Sequence, residues 1–332
     1  MNFSGPNFSG RNFSSRNFSS ALRSPPVIAL LLSVVLLLLG EVVRPGFAAY
    51  DQITNILRIA AFLGVIAAGQ TLVIMSGAEG IDLSVGSIVT LGAIIIYRVS
   101  SGSDALLIPA LAVALAVGFM VGIINGLGVA LVRIPPLVMT LGMTGVIQGL
   151  ILVVTGGRPS GATPPAMKAI ISDAWFLGIP GDVFIWVLIG LGVTVLLQRT
   201  AYGKALYAIG ANRATSRLSG VRVERIVILT YGLSGFFAAL GGFVLLGYTQ
   251  SVFINLGNPY TLPSIAAVVI GGTALSGGIG GYAGTMAGAI VLTLISSLLN
   301  TLSLPPFAQQ IVYGLILLVL LGVYGRARGL RS

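Results

Sequence analysis

Apolar runs with few charges, about as long as a membrane-spanning helix, recur along almost the whole chain, and nothing else limits its fold so strongly. The first covers 25–43, and others follow at about 54–76, from a glycine-rich break at 77–82 to Tyr97, and at 105–132 and 137–155. After a polar stretch come 183–198, 226–249, 261–276, 282–303 and 307–324. A spanning helix takes about 20 residues, so the pattern predicts an all-α membrane protein of about ten transmembrane helices. Only 8% of residues are charged and 56% are hydrophobic, whereas a soluble domain carries about 25% charged residues. A bilayer must be the solvent of this surface.

The segments between the runs set the orientation. Residues 199–225 carry Arg199, Lys204, Arg213, Arg217, Arg222 and Arg225 against the single acid Glu224. Loop 156–182 is balanced, with Arg158 and Lys168 against Asp173 and Asp182. Lys and Arg mark the cytoplasmic side. With ten spans, segment 199–225 and both termini are then cytoplasmic, and 156–182 is external. The tail 326–332, with Arg326, Arg328 and Arg331, fits this, as do Arg11, Arg16 and Arg23 ahead of the first span. Residues 1–24 hold four Asn-Phe-Ser triplets and no aliphatic face, so a disordered cytoplasmic tail is expected. The triplets match a glycosylation sequon, but that needs a lumenal location which the basic flank argues against. Phe47-Ala48-Ala49 is a poor cleavage site, and 25–43 reads as an uncleaved helix. The membrane domain is therefore 25–325.

Cys and His are both missing. That excludes disulfides, thiolate or imidazole metal sites, and Cys- or His-based catalysis. No metal, cofactor or catalytic group is expected, and the net charge of +10 is explained by membrane-flanking loops without nucleic acid. Gly203-Lys204 is followed by Ala205 and lacks the earlier glycine of a phosphate loop, so this chain has no means of hydrolysing ATP itself.

Within 199–225, Asn212 is a good helix N-cap and Gly220 a good stop. The short helix between them places Ala214 and Leu218 on one face, with Arg213 and Arg217 on the adjacent one. Alone in water it would not be stable, so it rests on something. It reads either as a basic loop at lipid headgroups or as a docking helix for a cytoplasmic partner. Inside the spans, Gln70, Asn125, Thr144 and Gln148 need hydrogen-bond partners, either between helices or along a solute route. Asp82, in Gly80-Ile81-Asp82-Leu83-Ser84, caps a helix starting at Leu83 or serves a hydroxylated solute or a gate; Ser84 is an alternative cap. The glycines of 271–288 suit close helix packing, with Gly280/Gly284 and Gly284/Gly288 spaced as G-x-x-x-G. Their rhythm echoes the break at 77–82, as in an internal duplication.

The run GKALYAIGANRATSRLSGVRV resembles the coupling segment of ribose-type sugar permeases, the membrane subunits of ATP-binding-cassette importers. GIDLSVGS at 80–87, PPLVMTLGM at 135–143 and AAVVIGGTALSGGIGGYAGTMAGA at 266–289 match the same family, and the likeness covers roughly 25–325. It implies a type II importer-like permease in the bacterial inner membrane. The implied partners are a second permease copy, identical or not, two cytoplasmic ATPases that bind ATP and Mg, and a periplasmic sugar-binding protein. Gly210, Asn212, Arg213, Arg217, Leu218 and Gly220 become candidates for ATPase coupling. Gln70, Asp82, Asn125, Thr144 and Gln148 become route candidates, and Arg158 and Lys168 candidates for docking the binding protein. The alternatives are a nucleoside or branched-chain amino acid permease of the same kind, and an ion-coupled secondary transporter. The last needs intramembrane ionisable relays, for which only Asp82 and Glu79 are at hand.

Overall fold

A computed structural model of the chain describes residues 24–78, 80–305, 307–315 and 318. Most of the expected N-terminal tail, Glu79, most of 316–325 and the basic tail 326–332 lie outside the described residues.

The chain is almost wholly helical. Helices α1 (Pro25–Val43), α2 (Tyr50–Met75), α3 (Val85–Ser100), α4 (Leu107–Leu127) and α5 (Pro136–Thr155) form the first part. A short helix, α6 (Pro165–Ile171), and a two-stranded ribbon, β1 (Ala174–Phe176) and β2 (Ile179–Pro180), follow. Then come α7 (Gly181–Arg199), α8 (Ala201–Ala211), α9 (Arg213–Leu218), α10 (Val223–Thr249), α11 (Thr261–Ile270) and α12 (Tyr282–Thr301). Residues 307–315 are again helical.

Among the described residues, seven helices are long and apolar enough to cross a membrane, one of them being α4 with the short turns at its two ends. Helix α3 has 16 residues and α11 only 10, which at 1.5 Å per residue span about 24 and 15 Å of a core about 30 Å thick. The expected third span thus runs from Val85 to Ser100, and the eighth stops at Ile270 instead of 276 because Gly271 and Gly272 end it. The polar stretch after α5 also holds more structure than expected: one helical turn pair and a small ribbon, the only strands among the described residues.

Burial sorts the helices. From Ala60 to Met75 every residue of α2 is buried, which is the pattern of a helix surrounded by others. In contrast, α1 and α5 leave rows of Leu and Val uncovered by the rest of the described chain, including Leu38, Val42, Leu141 and Val153. Helix α10 lies against α2, α3 and α4. Its contact with α4 is backbone on backbone. A methyl group on Gly235 would sit 2.0 Å from the Gly118 carbonyl oxygen, and one on Gly118 would sit 2.5 Å from that of Gly235. Two apolar helices in lipid gain little by hiding area from each other, so close van der Waals contact through small residues holds them.

The expected glycine packing of 271–288 is found in part. Gly284 and Gly288 lie in α12, where an added methyl would sit 2.0 Å from the Gly271 carbonyl oxygen and 2.1 Å from that of Ala267, respectively. Gly280 is outside the helix, in the loop, at φ +136°, so the first of the two G-x-x-x-G pairs is not a helical one.

Candidate functional site

Between α2 and α3 the chain turns inside the protein, through 76–84. Backbone at that depth has no water to bond, and each unpaired group costs several kcal/mol. Side chains supply the partners. Gln70 of α2 makes a two-way bond to the peptide of Asp82, donating to its carbonyl at 3.1 Å and accepting from its amide at 3.2 Å. Thr140 of α5 accepts from the Leu83 amide at 3.1 Å, and Thr144 donates to the Leu83 carbonyl at 3.2 Å.

The Asp82 carboxylate is fully buried and accepts three bonds. Its Oδ1 takes the Ser84 amide at 2.9 Å and the Ser84 hydroxyl at 2.6 Å; its Oδ2 takes the Ser234 hydroxyl of α10 at 2.8 Å. Asn125 of α4 donates to the Ser84 hydroxyl at 2.9 Å. Helix α3 starts at Val85, with Ser84 at the capping position but making no capping bond. The expected cap on a helix starting at Leu83 is therefore replaced by a local turn in which Asp82 holds the chain one step before the helix.

Four of the five polar residues singled out in the spans, Gln70, Asp82, Asn125 and Thr144, thus meet around one loop. Gln148 lies one turn further along α5, half-buried, with no hydrogen-bond partner among the described residues. Thr140 and Ser234 belong to the cluster and had no signal of their own. Hydroxyl residues in apolar helices commonly bond their own preceding turn, as Thr71 does to Ala67 and Thr90 to Gly86.

A second site lies where α8 meets α9. Thr200 caps α8, accepting from Gly203 at 3.1 Å, and Asn212 caps α9, accepting from the Thr215 amide at 3.0 Å, as its position predicted. Gly220 follows at φ +82°, its amide bonded to the Arg217 carbonyl. The existence of α8 was not foreseen: within 199–225 only the short helix after Asn212 was expected. Gly210 is instead a contact. A methyl group there would fall 2.1 Å from the Met75 carbonyl oxygen and 2.2 Å from the Gly278 nitrogen. Gly277 meets Gly77 in the same way, at 2.4 Å from its Cα, and the Gly278 amide donates to the Met75 carbonyl at 3.0 Å. The breaks at 76–84 and 271–281, noted for their similar rhythm, therefore touch each other and the end of α8.

On α9 the two arginines differ. Arg213 is half-buried, and desolvation lowers its affinity for a proton, countered by Tyr231. Arg217 pairs with Glu224 at the start of α10, the only ion pair among the described residues. Leu218 is 90% exposed, an apolar side chain offered outward at the end of the helix.

The face opposite α9 carries loop 156–180. Gly102, at the α3–α4 turn, bonds Ala162 of this loop at 3.0 Å, and Tyr50, at the start of α2, bonds the Leu177 carbonyl. Arg158 and Lys168 are exposed and without an acidic partner among the described residues. No group of three His, Cys, Asp or Glu side chains suited to a metal ion occurs among the described residues.

The sequence pattern of a family described as branched-chain amino acid transport system / permease component matches residues 52–321. The ribose import permease protein RbsC of Bacillus subtilis (strain 168) is 37% identical over 289 residues, covering 86% of this chain and 88% of that protein. RbsC of Escherichia coli (strain K12) is 36% identical over 299 residues, or 88% of this chain and 91% of that one. The autoinducer 2 import system permease protein LsrC of Yersinia pseudotuberculosis serotype O:3 (strain YPIII) is 35% identical over 300 residues, or 90% and 84%. No solved structure gives a significant match.

Proposed function

The chain belongs to the branched-chain amino acid transport system / permease component family, and from that premise we propose that it is the membrane-spanning subunit of an ATP-driven importer for a monosaccharide. It is a multi-pass inner-membrane transport subunit and not an enzyme. The family description names amino acids, but the relatives above carry names for ribose and for a small signal molecule, and both favour a hydroxylated solute. In this reading α3, α11 and the segment beginning at 307 are the remaining three of ten crossings, with both termini and α9 cytoplasmic and loop 156–180 external; the excess of Lys and Arg in 199–225 supports it.

The observation that carries the mechanism is the glycine contact at the end of α8. Helix α9, with Leu218 outward and Asn212, Arg213 and Arg217 around it, is the surface on which a cytoplasmic ATPase that binds ATP and Mg would dock. Gly210 and Gly220 bound it. Movement of α9 passes through Gly210 to both interrupted segments at once, and the segment 76–84 carries the Asp82 cluster. Gln70, Asp82, Asn125 and Thr144 then form the seam whose sliding opens or closes the route, and Gln148, not tied into it, faces the solute. Outside, Arg158 and Lys168 meet acidic residues of a solute-binding protein. A second permease copy supplies the other half of the assembly.

The test is uptake into vesicles holding this chain with its ATPase. Import that requires ATP inside and the solute-binding protein outside is expected. Uptake driven by a proton gradient alone would assign the chain to ion-coupled transport.

A further inference from the structure

A cavity of about 480 Å³ lies away from the Asp82 cluster. It lies between the first turns of α2, the turn that leads into α11, the end of α12 and the helix 307–315. Tyr50 at the start of α2 bonds the loop 156–180, so the cavity opens on the face opposite α9. In volume it falls within the ordinary range for small-molecule sites.

Its chemistry is selective. Four side-chain amides line it, Gln52, Asn55, Asn300 and Gln309, together with the hydroxyls of Thr293, Ser296, Ser297 and Thr301. No carboxylate is among the lining residues, and Arg44 is the single cation. Most of these groups are already engaged: Gln52 donates to Ser297 at 3.0 Å and Gln309 to Asn300 at 2.6 Å, and the hydroxyls of Thr293, Ser296 and Thr301 donate to carbonyls of their own helix, while Asn55 has no hydrogen-bond partner among the described residues. Two aromatic rings, Tyr260 and Tyr313, stand in the wall beside Leu63 and Pro263.

We infer that this cavity is an acceptance site for a neutral, polyhydroxylated solute of monosaccharide size; the inference rests on the importer reading above. Each hydroxyl of such a solute both donates and accepts; the wall amides do both, and the helix-bonded hydroxyls accept. The rings of Tyr260 and Tyr313 offer apolar surface to its C–H groups. A zwitterionic amino acid finds one opposite charge for its carboxylate, Arg44, and no carboxylate to balance its ammonium group. A site whose polar groups already bond each other gives up those bonds to take the solute, so it holds it weakly, as a passage requires. Leu63 lies seven residues from Gln70, about 10 Å along α2, so the solute waits two turns above the sealed Asp82 cluster.

The chain has no cysteine, so a single one reports without background. The experiment uses Asn55→Cys, with Ala105→Cys, exposed in the α3–α4 turn, as a control on the same face, each in the reconstituted transporter and labelled from outside with an impermeant thiol reagent. D-ribose at twice its dissociation constant is expected to slow labelling of Asn55→Cys about threefold and to leave Ala105→Cys unchanged, and L-leucine to slow neither. If the complex imports a sugar that leaves Asn55→Cys labelling unchanged, the cavity assignment is overturned and the importer reading stands. Failure of Asn55→Cys to label from outside overturns the assignment too. Protection by L-leucine alone overturns both.

Discussion

Ser234 reaches Asp82 from a helix more than 150 residues away in sequence, and its hydroxyl is the one donor to Oδ2 among the described residues. Removing it leaves half of a buried carboxylate without its partner. Ser234→Ala is expected to lower stability in detergent by about 1.5–3 kcal/mol, the worth of a hydrogen bond to a charged group, seen as a lower melting temperature. Gln148→Ala, which breaks no bond among the described residues, is expected to change stability by less than about 0.5 kcal/mol. Equal effects of the two would dissolve the distinction between cluster and bystander. The contrast also shows what the sequence could reveal. Amides and a carboxylate in apolar spans stand out because lipid offers them nothing, so Gln70, Asp82 and Asn125 were visible. Ser234 and Thr140 were hidden among hydroxyls such as Thr194 and Thr293 that bond only their own helix. Only the fold shows which hydroxyls reach across.

At the scale of elements, the long spans were legible from their apolar runs and α9 from its cap and stop. Helix α8 was not, since glycine has two uses and sequence does not tell them apart. At Gly220 it ends a helix with a positive φ; at Gly210 it lets one backbone lie on two others. The second use predicts a strong response to a small change. Gly210→Val places a branched side chain where even a methyl lies 2.1 Å from the Met75 carbonyl oxygen. The end of α8 must then separate from Met75 and Gly278. ATP-dependent uptake is expected to fall by at least tenfold while membrane insertion, followed by protease protection of the loops, is retained. Leu218→Asp acts at the other end of the same unit. It disturbs no packing, since the side chain is 90% exposed, and is expected to reduce recovery of the ATPase on purification without changing the melting temperature of the permease. Unchanged co-purification would remove α9 as the docking surface.

For the whole molecule the decisive property is which face is which. The structure separates the two: α8, α9 and the glycine breaks lie together on one, loop 156–180 and the mouth of the cavity on the other. Ser219→Cys, exposed just after α9, is expected to resist an impermeant thiol reagent applied to intact cells and to react once the membrane is opened. Labelling in intact cells would invert the assignment of both faces. The contact of Gly77, Gly210 and Gly277 gives this arrangement a mechanical meaning. Most protein joints carry side chains that bend and so absorb a push before it travels far. Here bare main chains abut, and nothing soft lies between them. A displacement of one ångström at the α9 end has no cushion in which to be lost before it reaches the interior of the bilayer.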